Sequence, residues 1–100
     1  MNDINPKTIP NCLRRYRKAR GLKQKEVARI LGLESASMIS RWERGRCLPN
    51  TMNLFKLAAL YRTMVDALFI DLLRSLRSDL KQREGRILRE VKRPDSPKKP

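Results

Sequence analysis

Between Ser35 and Arg46 the chain interleaves hydroxyls and guanidinium groups with apolar residues: Ser35, Ser37, Ser40, Arg41, Arg44 and Arg46 alternate around Ile39 and Trp42. A spacing of three puts Ile39 and Trp42 on one side of a helix and leaves Ser37, Ser40, Arg41 and Arg44 on the other. Arginine presents a planar fork of donors that fits phosphate oxygens or two adjacent acceptors on a base edge, and short serines permit close approach. The chemistry on offer is therefore recognition by hydrogen bonding and charge. Catalysis is a poor reading, because the chain has no histidine, no phosphate-cradling glycine loop and no clustered carboxylates for acid–base work.

Two short helical patterns must position these groups. The first carries Val27, Ala28 and Leu31 and is closed by Gly32; the second opens at Ser35, carries Ile39 and Trp42 and is closed by Gly45. Neither can bury much alone, so each must pack on the other and on neighbours. The second, about 13 Å long at 1.5 Å per residue, suits a DNA major groove roughly 12 Å wide.

Outward from this pair, Asn11 is a plausible cap for a helix running to about Arg20, with Leu13, Tyr16 and Arg17 facing inward and Gly21 as its left-handed end. Leu22 falls into the core. The second helix spans about Gln24 to Leu31 and the third about Ala36 to Arg44, with Ser35 as its N-cap. Pro49 and Asn50 prepare a fourth helix near Thr51 to Tyr61, its apolar face formed by Leu54, Phe55, Leu57, Ala58 and Tyr61. A fifth begins near Val65 and continues through Leu68, Phe69, Leu72, Leu73, Leu76 and Leu80. Gly85 interrupts this pattern, which Ile87, Leu88 and Val91 resume weakly. From Pro94 the composition is that of a disordered basic tail.

The charge agrees with the motif. The 100 residues carry 24 Lys and Arg against 10 Asp and Glu, a net charge of +14. Between Asn11 and Arg46 stand 11 basic and 3 acidic residues, an excess of +8 that overlaps the two-helix stretch. A solvated basic surface or an electrostatic membrane binder is the bland alternative; the coincidence with a groove-sized helix favours nucleic acid. No apolar run approaches 18 residues and the first residues, MNDINPKT, hold no signal-peptide core, so a soluble cytoplasmic protein without membrane association is expected. Cys12 and Cys47 lie in no metal-ligand spacing; they read as free thiols, and neither metal nor cofactor is expected.

On these residues the chain resembles the Cro/C1-type, or XRE, helix-turn-helix family. The resemblance is carried by Arg17, Gly21-Leu22-Lys23-Gln24, Glu26-Val27-Ala28, Leu31-Gly32, Ile39-Ser40-Arg41-Trp42-Glu43-Arg44-Gly45, Pro49, Leu54, Lys56-Leu57-Ala58 and Asp66-Ala67-Leu68-Phe69. It covers residues 9–70. It implies an all-α, five-helix, lambda-repressor-like domain, followed in this chain by a helical extension over 71–92, a possible dimerisation segment, and a disordered basic tail over 93–100. By position in the family pattern, Ala36, Ser37 and Arg41 are expected to touch bases, with Met38 and Ser40 next. Lys23, Gln24, Lys25, Arg44 and Arg46 are expected at phosphates. For Arg41 the alternative is a phosphate contact or a solvated surface arginine, and for Ala36 and Ser37 mere clearance. Arg17 and Glu43 match a largely buried structural ion pair, and Trp42 reads as core. Two departures stand out: Glu34 is an extra acidic residue in the turn, and Arg62 replaces the usual glycine after the fourth helix.

The implied function is a sequence-specific transcription regulator, repressor-like, that binds a double-stranded operator as a homodimer with residues 36–44 in the major groove. The stripe Leu68, Leu72, Leu76, Leu80 favours self-association over folding back onto its own domain. The alternative is an antitoxin or accessory protein that binds a partner through 71–92 and autoregulates its operon.

Overall fold

The computed structural model describes residues 8–91; the tail expected over 93–100 lies outside the described residues. Among them are six helices and no strand: α1 (Leu13–Ala19), α2 (Gln24–Leu31), α3 (Ser37–Glu43), α4 (Thr51–Tyr61), α5 (Val65–Leu68) and α6 (Ile70–Val91). α2 and α4 have the expected bounds, while α1 and α3 are tighter at their ends. One core joins them. Leu13, Val27, Ile39, Leu57 and Leu68, one from each of α1 to α5, are buried to 1% exposure or less, with Trp42, Tyr61 and Phe69 packed around them. At about 25 cal/mol per Å² of apolar surface, this burial is the main term holding such short helices together.

Phe55 departs from expectation and is 59% exposed. Leu54, Leu57, Ala58 and Tyr61 already occupy the inward stripe of α4, and Phe55 falls about 100° around the helix from its centre.

The caps explain where elements begin. The Asn11 Oδ1 accepts from the Leu13 N–H at 3.0 Å, while its Nδ2 donates to the Trp42 carbonyl at 3.1 Å and the Ile9 carbonyl at 3.0 Å. Asn11 is not the N-cap of α1: Cys12 holds that position, and the Asn11 side chain, one residue earlier, ties the start of α1 to the end of α3. Asn50 caps α4 by accepting from the Asn53 N–H at 2.8 Å. Ser35 is not the N-cap of α3. Ala36 holds that position in a helical conformation, and the Ser35 hydroxyl instead accepts from the Ser37 N–H at 3.3 Å and shares a 2.8 Å hydrogen bond with the Ser37 hydroxyl.

Gly45 ends α3 at φ +74°. Its carbonyl accepts from the Ile9 N–H at 2.8 Å, and a Cβ there would collide with the Ile9 backbone. Arg62 replaces glycine without changing the turn: it takes the left-handed conformation itself, φ 57° and ψ 49°, at the steric cost a side chain meets there.

The expected fifth helix is two helices. The Leu68 carbonyl, which would serve the next turn, accepts from the Cys12 N–H at 2.8 Å, and Phe69 leaves helical geometry at φ −129°, ψ 40° with its ring buried. α6 then starts at Ile70. Leu72 still packs on the core, but residues 74–84 are all exposed, so this part of the extension does not fold back. Gly85 does not interrupt α6; a single interior glycine costs about 1 kcal/mol, which its helix-forming neighbours offset. Arg62→Gly relieves the strained cap, and its expected effect is a gain of about 0.5–1 kcal/mol, read as a higher midpoint in urea denaturation; a loss would contradict the cost assigned to Arg62.

Candidate nucleic-acid interface

The surface around α3 rests on a buried ion pair. Arg17, on the inward side of α1, and Glu43, at the end of α3, have side chains 10% and 4% exposed. Arg17 Nε donates to Glu43 Oε2 at 2.6 Å and Nη2 to Oε1 at 3.1 Å, while Nη1 donates to the Leu22 carbonyl at 2.9 Å. Gln24, first residue of α2, donates its Nε2 to Glu43 Oε1 at 2.9 Å. The structural role expected for Arg17 and Glu43 matches this geometry. The hydrogen bond from Glu43 raises the Arg17 pKa against the opposing effect of burial, so the guanidinium stays charged. Tyr61 completes the surroundings. Its hydroxyl is buried with no hydrogen-bond partner among the described residues, and burial, aided by the Glu43 charge, pushes its pKa well above the ordinary tyrosine range.

Two open clefts border α3, the first of them over this pair. The first is lined by Arg14, Lys23, Gln24, Ser40 and Arg44, with Arg17 and Glu43 beneath. The second is lined by Ser37, Ser40, Arg41, Arg44 and Arg46. Ser40 and Arg44 form the wall between them, so five basic side chains flank one short helix. Ser37, Met38, Arg41 and Arg44 are exposed and Ala36 and Ser40 half-buried. Lys25 is exposed but lines neither cleft.

The first turn of α2 opens beside the first cleft. There the Lys23 N–H donates to Glu26 Oε1 at 2.8 Å, and the next amides face outward as in any helix start, where the dipole favours anions. Gln24 is not a free surface glutamine; its carboxamide is held by Glu43. Trp42 is 3% exposed, in the core as expected.

Arg14 is the one cleft residue that spacing did not single out. It belongs to the basic run Arg14, Arg15, Arg17, Lys18 and Arg20, and only the packing of α1 against α3 decides which of these lies over the ion pair.

Among the described residues no group of acidic, cysteine or histidine side chains is arranged to hold a metal ion; Cys12 and Cys47 are free thiols, half-buried. No described helix is long and apolar enough to cross a membrane.

A helix-turn-helix family model, of the Cro/C1 type, matches residues 13–67, from the start of α1 into α5. No curated protein and no solved structure matches the chain significantly.

Tyr61 gives this core a pH dependence of definite sign. Its pKa in the folded state is raised above the unfolded value near 10, so its contribution is fully present below that value and is lost as pH rises past it. Denaturant midpoints taken between pH 9 and 11.5 are expected to fall more steeply for the native chain than for Tyr61→Phe. Parallel curves would show that the hydroxyl is not held neutral by the fold.

Proposed function

The chain belongs to the Cro/C1-type helix-turn-helix family, a family of DNA-binding regulators, and from that premise we propose that it reads a specific double-stranded operator with α3 in the major groove. The observation that carries this reading is the pair of basic clefts that share α3 as their wall. A seven-residue helix, about 10 Å long, fits the groove end-on or lengthwise. In that docking the flanking cations would meet the phosphate ridges of the groove.

Within that docking, Arg41 pairs with guanine O6 and N7 through its planar fork. Ala36, Ser37, Met38 and Ser40 border the same edge; the first two give clearance, since the Ser37 hydroxyl already bonds Ser35. Lys23, Lys25, Arg44 and Arg46, joined by Arg14 and the start of α2 at Gln24, meet phosphates, which fixes position without reading sequence. Two copies acting together as a repressor-like homodimer would place their α3 helices one helical turn apart, about 34 Å. The exposed leucines of α6 support association of two copies.

Removal of one guanidinium separates reading from anchoring. Arg41→Ala is expected to lower discrimination between the operator and random duplex by about 1–3 kcal/mol, measured by competition titration at fixed salt. An equal loss on both duplexes would reassign Arg41 to the phosphates.

A further inference from the structure

α6 leaves the domain with an apolar stripe that no other described residue covers. Leu76, Leu80 and Ile87 are 44%, 58% and 51% exposed, and with half-buried Leu73 they fall at spacings of three, four and seven, the seam positions of a helix pair. The charges beside the seam have a sense of direction. On one side stand Asp79 and Arg86; on the other, Arg77 and Glu84. None of the four is ion-paired with another described residue.

We propose that this face is covered by α6 of a second copy, running antiparallel, with the pair centred between Lys81 and Gln82. The inference deepens the homodimer reading above and rests on it. In that register Leu76 faces the partner's Ile87, and Leu80 faces the aliphatic stem of the partner's Arg83, whose charged end reaches water. Arg77 then lies opposite the partner's Glu84, and Asp79 opposite the partner's Arg86. By symmetry each pairing occurs twice, giving four complementary contacts. A parallel pair fails the same test, because it sets Asp79 against the partner's Glu84 on both sides of the dimer.

The register also fixes a length. From Ile70 to the centre of the pair is about 11.5 residues, so the two points where α6 leaves its domains stand about 34 Å apart along the axis at 1.5 Å per residue. That separation of the exit points is of the order of one turn of B-DNA.

Sedimentation equilibrium of the full chain tests it through a substitution whose sign differs between arrangements. Glu84→Arg puts two arginines opposite each other in the antiparallel pair, and the dimer is expected to weaken about tenfold. Adding Arg77→Glu restores it, whereas Arg74→Glu, equal in charge but off the seam, does not. Tightening by Glu84→Arg indicates a parallel pair and overturns the proposal. A dimer indifferent to all three variants overturns the α6 seam while leaving the homodimer reading intact. A native chain that stays monomeric at every concentration and binds operator as a monomer overturns both.

Discussion

Arg17 and Glu43, a guanidinium and a carboxylate buried together, set the relation of three helices on which every other feature of the surface depends. Burial of either ion alone would cost several kcal/mol. The pair is tolerated because its remaining valences are filled: the Leu22 carbonyl takes a third Arg17 donor, and Gln24 gives Glu43 a further hydrogen bond. Those partners come from α1, from the end of α3, from the turn before α2 and from its first residue. An apolar pair of equal volume would fill the space but would fix no directions. In this arrangement each bond has one partner, so the start of α2 is held beside the outer face of α3. The cleft lined by Arg14, Lys23, Gln24, Ser40 and Arg44 takes its floor from that pair.

The N-terminal segment supplies a second set of ties and determines how much slack α3 has. Asn11 binds the Trp42 carbonyl, Ile9 binds Gly45, and Cys12 binds Leu68. The first two hold the exit of α3 just where Arg44 and Arg46 emerge, so those cations sit on backbone with little freedom. The third ends α5 by occupying a carbonyl that the helix would otherwise use. One short segment therefore stiffens the basic surface and also sets the point from which α6 departs. The basic clefts and the departure of α6 are thus both tied to residues 9–12.

Much of this was legible from residue type and spacing. The bounds of α2 and α4, the inward faces of α1 and α3, the burial of Trp42 and the Arg17–Glu43 pair all follow from periodicity or family pattern. What escaped did so for tertiary reasons. Phe55 is apolar and close to the right phase, but the inward stripe of α4 was already filled by Leu54, Leu57, Ala58 and Tyr61. The break at Phe69 depends on the hydrogen bond between Cys12 and Leu68, far apart in the chain, which no local window contains. Gly85 suggested an interruption that α6 overrides by propensity. Ser35 has the right chemistry for a cap, yet its hydroxyl turned to Ser37. At the surface, Arg14 is indistinguishable from its basic neighbours until α1 is packed. The fold was thus more readable than the exact membership of the interface, since one rests on apolar period and the other on which cations converge.

The ion pair is open to direct measurement. In urea denaturation at neutral pH, Arg17→Ala is expected to cost about 3–5 kcal/mol, because it leaves the Glu43 carboxylate buried without its cation. Adding Glu43→Ala should cost clearly less than the sum of the single losses, the mark of two groups that act through each other. A loss below about 1 kcal/mol for Arg17→Ala, additive with Glu43→Ala, is the behaviour of an exposed surface pair; it would contradict the central role of this interaction in setting the helices.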